Sequence, residues 1–167
     1  FCGIGGLTCG IQKTGIDVIA GYDIEESCKY AYEYNNHAKF ILKDIKDISE
    51  TEIINLYPKD TDVRILMGCA PCQPFSTYAQ RYEVNGNDGK WGLLYQFARL
   101  AEGTMPDVIT MENVPTVAKH AVFHDFVDTL RRLGYEVWHD VVDSSLYGVP
   151  QRRRRMVLLA SRHGKIE

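Results

Sequence analysis

No run of apolar residues in this chain approaches the ~20 needed to cross a bilayer as a helix, and no secretory leader is recognisable in it. Nor is there an excess of positive charge. The 19 Lys and Arg residues against 22 Asp and Glu leave a net charge of -3, so no global field draws the chain onto nucleic acid. Any such binding has to come from a local patch or a partner. Cysteines number five, an odd and unpatterned set. That speaks against a disulfide framework and for an intracellular, reducing compartment, cytoplasmic if the source is bacterial. Cys69-x-x-Cys72 has the spacing of half a zinc site, but no second cysteine pair exists and the five histidines supply no matching spacing. Pro71 and Pro74 also oppose the immediate helix that a thioredoxin-like pair would open. Neither a metal nor a redox role is expected. A starting methionine is lacking too: the chain opens at Phe1-Cys2-Gly3 with a glycine loop already under way, where a preceding strand is expected. The expectation is a fragment, or one piece of a split protein.

What is present is ordinary for a globular protein, 45% hydrophobic and 25% charged over 167 residues. That length predicts one domain burying roughly two thirds of its unfolded surface. Phe1-Cys2-Gly3-Ile4-Gly5-Gly6-Leu7 leads into a helical pattern from Leu7 to Lys13, stopped by Gly15. Three glycines within four positions permit close backbone approach to a ligand. Thr8 stands where the dinucleotide fingerprint wants Gly or Ala, and a plain turn is the alternative. Val18–Asp23 reads as a strand ending in an acid. Asp23 lies 18 residues after Gly5, close to the ~20 between a glycine loop and a ribose-binding carboxylate. It would equally serve as a charge at the start of the helix read from Glu25 to Tyr34. Phe40–Leu42 is a short strand followed by Asp44, for which a turn aspartate is the other reading.

A short helix over Thr51–Tyr57 closes at Pro58, and the strand Val63–Met67 leads into Gly68-Cys69-Ala70-Pro71-Cys72-Gln73-Pro74-Phe75-Ser76. The prolines stiffen that loop and push the residues before them out of helical geometry. This suits Cys72 as a nucleophile; an ordinary buried cysteine in a Pro-rich turn is the alternative. Thr77 to Lys90 has no hydrophobic period and predicts a loop long enough to act as a lid. Helical spacing returns over Gly92–Leu100, and a strand at Asp107–Met111 runs into Glu112-Asn113-Val114-Pro115. A helix over Val117–Leu133 sets Phe123, Phe126, Val127 and Leu130 on one face and stops at Gly134. Strands at Tyr135–Val142 and Met156–Ala160 flank Gln151-Arg152-Arg153-Arg154-Arg155. Continuous apolar strands alternating with helices predict an open, mostly parallel α/β sheet covered on both faces. Ligands of such sheets bind outside the carboxyl ends of the strands. Asp23, Asp44, Cys72 and Glu112 each fall at or near such an end. In an extended segment Arg153 and Arg155 point one way, and Arg152 and Arg154 the other.

Taken in order, Phe1-x-Gly3-x-Gly5-Gly6, Asp23, Asp44, Pro71-Cys72-Gln73, Glu112-Asn113-Val114 and Gln151-Arg152-Arg153-Arg154-Arg155 resemble the motifs of the cytosine-C5 DNA methyltransferases over essentially the whole chain. The resemblance implies a Rossmann-like, S-adenosylmethionine-dependent methyltransferase sheet, mostly parallel, with helices on both faces and its first strand truncated. It implies a single, incomplete catalytic domain over residues 1–167. The activity implied is transfer of a methyl group from S-adenosylmethionine to carbon 5 of cytosine in double-stranded DNA, leaving S-adenosylhomocysteine, without a metal. Carbon 5 is too weak a nucleophile unaided, and a thiolate adding at carbon 6 pushes electron density onto it. By resemblance Cys72 is that nucleophile. Glu112 holds and protonates ring nitrogen N3, offsetting the charge that develops. Arg155 and Arg153 contact the target base and brace the site. Carbon 6 is inaccessible in a duplex, so the base flips out and the lid closes behind it. The resemblance further implies Phe1, Gly3, Ile4, Gly5 and Gly6 around the cofactor, Asp23 on its ribose, and Ile24 against adenine, where the family often has a larger residue. Asp44 and Ile45 fall at the adenine edge, and Pro71 and Leu93 complete the set.

The family continues past the arginine segment into a target-recognition region and a final segment that completes the cofactor site. Neither is in this sequence. DNA readout is therefore expected to lie elsewhere, a second chain being one carrier, and this chain alone is expected to bind DNA poorly and to methylate weakly or not at all. A restriction–modification setting is the expected one. Other classes stay open: a catalytically inactive module, one subunit of a split methyltransferase, an RNA cytosine-5 methyltransferase, or a nucleoside-cofactor oxidoreductase. The last would use the same sheet and Asp23, but needs neither Pro71-Cys72-Gln73 nor Glu112.

Overall fold

The computed structural model describes residues 1–70 and 92–166, in two compact units, Phe1–Thr61 and Asp62–Glu167. In the first unit α1 (Gly6–Gln12) is followed by β1 (Ala20–Asp23), then by a 3-10 turn at Glu26–Cys28 that runs into α2 (Lys29–Asn36). After these come β2 (Lys39–Leu42), a second 3-10 turn at Ile45–Asp47, and α3 (Glu50–Ile54). β1 and β2 pair in parallel, from Ala20 with Lys39 to Asp23 with Leu42, so both strands end at the same edge. The core of this unit forms around Tyr32, which is wholly buried with Ala38 and Phe40, with Cys2, Val18 and Cys28 packed against them. Its ring meets Phe40 edge-on at 5.7 Å, and its hydroxyl lies 3.1 Å from that of Thr8 on α1.

Two helices of this unit differ from the sequence expectation. The one read from Glu25 starts as a 3-10 turn, because the Glu25 carboxylate accepts the Ser27 N–H and holds the tighter geometry. α3 stops at Ile54, and the residues before Pro58 tighten into bonds from Leu56 N–H to Ile53 and from Tyr57 N–H to Ile54.

The second unit contains β3 (Ile65–Gly68), α4 (Gly92–Thr104), β4 (Val108–Asn113), a 3-10 stretch at Pro115–Lys119, and α5 (Ala121–Arg132). Then come β5 (Glu136–Asp143), a 3-10 turn at Ser144–Tyr147, and β6 (Arg154–Ser161). Its sheet has the order β3-β4-β6-β5. β3 pairs in parallel with β4, whereas β6 runs against both β4 and β5, so three strands share a direction and one opposes it. This agrees with the mostly parallel α/β expectation. α4 buries Leu94, Phe97, Leu100 and Ala101, and α5 buries Val122, Phe123, Phe126, Val127 and Leu130, at the spacing of one helical face. Each of the Val, Leu and Phe side chains, fully buried, stabilises by ~1.5–3 kcal/mol, and the Phe97 and Phe126 rings meet at 5.7 Å.

The helix expected over 117–133 is divided at His120, whose backbone is extended (φ -107, ψ 140). Before it, Pro115 opens a 3-10 stretch. At the other end Gly134 (φ 86) closes α5, with its N–H on Arg131 and the Tyr135 N–H on Leu130, both 3.0 Å. Those two bonds form a Schellman cap, which needs the left-handed backbone that glycine adopts freely.

Asp107 fastens three strands of this sheet together. It accepts the Arg64 N–H at 2.8 Å before β3 and lies 3.0 Å from His163 Nε2 after β6, while its carbonyl accepts the Arg162 N–H. The Arg64 amide first, and then His163, hold its carboxyl below the usual carboxylate range. A group with a depressed native pKa contributes stability above ~4, where the unfolded carboxylate is ionised, and loses it as pH falls through the native value. Asp107→Asn is expected to lower stability by about 1–3 kcal/mol at pH 7. Urea titrations of the two proteins should converge toward pH 3, and a penalty that does not shrink there refutes the assignment.

Candidate active site

The expected site residues fall into two clusters, one in each unit. In the first, Asp23 at the end of β1 organises the glycine loop. Phe1 N (2.6 Å) and the Gly3 N–H (2.8 Å) donate to its Oδ2, and the Glu25 N–H donates to Oδ1 at 3.1 Å. Partial burial pushes the Asp23 carboxyl up, but these hydrogen bonds outweigh it and hold the group below its ordinary value. Gly5 is left-handed (φ 91) and pressed onto α2: a Cβ there would lie 2.2 Å from Asn36 Nδ2 and 2.9 Å from Tyr32 Cδ2. At Gly3 and Gly6 nothing among the described residues lies within 4 Å of such an atom. The loop is thus anchored through Gly5, half-buried at Gly3 and exposed at Gly6. Ile4 and Ile24, which directly follow the bonded pair Gly3 and Asp23, are 65% and 69% exposed. Apolar side chains left bare beside an exposed glycine backbone are what a flat, partly apolar ligand would cover.

Asp44 follows β2 and is half-buried; its Oδ1 accepts the Lys46 N–H at 3.0 Å and so shapes the turn, as the plainer reading of this residue required. Ile45, the first residue of the 3-10 turn, is buried in the core.

In the second unit Glu112 and Arg155 come together. Glu112 lies inside β4, which runs on to Asn113, and Arg155 lies inside β6 rather than before it. Glu112 pairs with Val157, so Arg155 is its diagonal neighbour on the same face. Arg155 Nε donates to Glu112 Oε1 at 2.9 Å, with both side chains about one quarter to one third exposed. The second oxygen of Glu112 takes no partner among the described residues. Arg154, on the opposite face, is the cross-strand partner of Asp143, as alternation along a strand demands. Arg153 is exposed just before β6, and its side chain forms no ion pair among the described residues. Leu93 is half-buried at the start of α4. Pro71, Cys72 and the lid segment 77–90 lie outside the described residues.

Burial first, and then the charge of Glu112, push the Cys69 thiol up to about 11. Such a thiol is ionised in only about one molecule in ten thousand at pH 7, which separates Cys69 from a catalytic role. Sequence reasoning missed Asn113. It is 2% exposed; its Nδ2 donates to the Ala70 carbonyl at 3.2 Å and its Oδ1 accepts the Val114 N–H at 2.8 Å. The signal was available: it is a polar residue on the buried side of a strand whose exposure alternates.

The model of the family described as C-5 cytosine-specific DNA methylase matches residues 1–167. The chain belongs to that family. The chain is 46% identical over 170 residues to the Type II methylase M.HgiDII of Herpetosiphon aurantiacus, covering all of this chain and 47% of that protein. It is 32% identical to the Type II methyltransferase M.XorII of Xanthomonas oryzae pv. oryzae, covering 98% of this chain and 40% of the relative. It therefore spans somewhat under half the length of these curated relatives. Among solved structures the Entamoeba histolytica methyltransferase EhMeth superposes with a TM-score of 0.80 at 23% identity, covering all of this chain and 53% of that one. At that identity the likeness establishes the α/β methyltransferase fold. No helix among the described residues is long and apolar enough to cross a membrane.

Two outcomes follow from the site. Gly5→Ala should cost more than about 2 kcal/mol in thermal or urea unfolding, from a strained φ and a clash. Gly6→Ala, in open space at a helix start, should leave stability within about 1 kcal/mol. Alkylation at pH 7.5 followed by peptide mass spectrometry should find Cys69 modified at least about 10-fold more slowly than free glutathione; a fast Cys69 would contradict its environment.

Proposed function

We propose that this chain transfers a methyl group from S-adenosylmethionine to carbon 5 of a flipped-out cytosine in double-stranded DNA. It acts as one catalytic domain, inside the cell, in a restriction–modification setting. Family membership supports the reaction class. The observation that carries the reading is the Glu112–Arg155 pair, which orients Glu112 through one oxygen while the other, without a partner among the described residues, is assigned to cytosine N3.

Cys72 is assigned as the nucleophile. Its thiolate adds to carbon 6, the electrons of the 5,6 double bond shift to make carbon 5 nucleophilic, and Glu112 at N3 offsets the charge that develops on the ring. Carbon 5 takes the methyl group, its proton departs to a base, and Cys72 leaves as the double bond re-forms. Arg155 braces Glu112 and the base together, and Arg153 reaches the DNA from its exposed position. Burial of the base in the site requires flipping, because carbon 6 is shielded within the duplex stack.

S-adenosylmethionine supplies an electrophilic methyl on a sulfonium when bound. The residues of the first unit suit it: glycines at 3 and 6 with no described neighbour where a side chain would stand, exposed Ile4 and Ile24, and two acids after adjacent parallel strands. Asp23 is assigned to the ribose hydroxyls, Asp44 and Ile45 to the adenine edge, and Phe1, Gly5, Pro71 and Leu93 to the walls.

The test is single-turnover trapping on a duplex carrying 5-fluorocytosine, with S-adenosylmethionine and the protein in excess. Fluorine replaces the proton that must leave, so the Cys72 adduct persists. The expected result is a covalent complex of protein and oligonucleotide that Cys72→Ser abolishes and Glu112→Gln slows by at least about 100-fold. An adduct that survives Cys72→Ser, or no adduct with the unaltered protein even when a chain carrying a target-recognition region is added, overturns the proposal.

A further inference from the structure

We propose that Glu52 is a positioning residue for the cofactor, its single carboxylate holding the side chains of Tyr22 and Lys43, the residues immediately before Asp23 and Asp44. The proposal rests on the assignment of those two acids to S-adenosylmethionine.

The Tyr22 hydroxyl donates to Glu52 Oε1 at 3.0 Å, and Lys43 Nζ donates to Glu52 Oε2 at 2.6 Å. Tyr22 stands in β1 and Lys43 directly after β2, while Glu52 reaches both from α3. The backbone completes the ring, because the Lys43 N–H bonds to the Asp23 carbonyl at 2.9 Å. The ends of two neighbouring strands, each about to present an acid, are thus tied to one another and to a helix through one side chain.

A second observation points the same way. Ser49-Glu50-Thr51-Glu52 has the sequence of a capping box, in which the serine caps the third helical amide and the glutamate bonds back to the serine's own amide. Half of that motif is formed: the Glu52 N–H donates to Ser49 Oγ at 3.2 Å. The Glu52 carboxylate instead points both oxygens at Tyr22 and Lys43, so the side chain best suited to finish the cap is diverted to the strand ends. Lys43, then the Tyr22 hydroxyl and the charge of Lys39, favour its ionised form and outweigh its slight burial. The Lys43–Glu52 pair is about one third exposed, and pairs so placed add little to stability on their own. What the arrangement supplies is a defined separation and orientation of two strand ends, the kind of support a ligand-binding constellation needs.

The test measures the dissociation constant of S-adenosylmethionine by isothermal titration calorimetry, beside the melting temperature of the ligand-free protein. Glu52→Ala removes both bonds, Tyr22→Phe and Lys43→Met remove one each, and Glu52→Gln keeps the acceptor for Tyr22 while losing the charge for Lys43. The expected result is affinity about 10-fold weaker for Glu52→Ala and intermediate for the other three. In an Asp44→Ala background the further effect of Glu52→Ala should fall below about 2-fold, since the group being positioned is gone. A merely structural role would lower the melting temperature and leave the dissociation constant of the folded protein unchanged. Should Glu52→Ala fail to fold, Tyr22→Phe and Lys43→Met decide: wild-type affinity in both refutes the proposal. Unaltered protein that binds S-adenosylmethionine together with variants that bind equally well overturns the role of Glu52 alone. Unaltered protein that does not bind it overturns the site assignment and this proposal together.

Discussion

The second unit turns on the ion pair between Glu112 and Arg155. A glutamate inside a strand of a covered sheet is costly unless its charge is met, and an arginine in the neighbouring strand meets it diagonally at 2.9 Å. The pairing exists because β6 runs antiparallel to β4 with Glu112 opposite Val157. A one-residue slip of that register would turn Arg155 to the other face and break this pair. A separate register, between β5 and β6, sets Arg154 opposite Asp143, so adjacent arginines that look alike in the sequence acquire different neighbours. Asn113, one residue on from Glu112 and on the buried side, ties the end of β4 to the Ala70 carbonyl. One strand therefore carries both a chemical group and a support for the chain that leads to Cys72.

The first unit is arranged around one sheet edge. Parallel pairing brings the ends of β1 and β2 together there, so Asp23 and Asp44, 21 residues apart in sequence, follow adjacent strands. Gly5 is held against Asn36 and Tyr32, and Asp23 holds Gly3 by a hydrogen bond, while a Cβ at Gly3 or Gly6 would meet nothing among the described residues. Asp44 closes its own turn through one oxygen.

Much of this was legible without coordinates. The glycine loop, the acids after β1 and β2, and the buried face of α5 follow from residue types at spacings that backbone geometry imposes, periods of 2 and 3.6 and the left-handed requirement at Gly134. What was misjudged was local and polar. The break at His120 and the 3-10 start before α2 come from i to i+3 hydrogen bonds that compete with the α-helix, and apolar periodicity carries no record of them. Glu52 was hidden by a better-known pattern, since a capping box explains a serine and a glutamate three apart without any need for distant partners.

The sequence by itself determined the family, the order of the motifs and the residue types the chemistry requires, because those depend on identities and short spacings along the chain. Tertiary structure alone decided which arginine meets Glu112, that Ile45 turns inward, that Cys69 is a suppressed thiol, and that Glu52 joins two strand ends. Each of these depends on strand register or on burial, which are set by residues far away in the chain, and no local pattern encodes them.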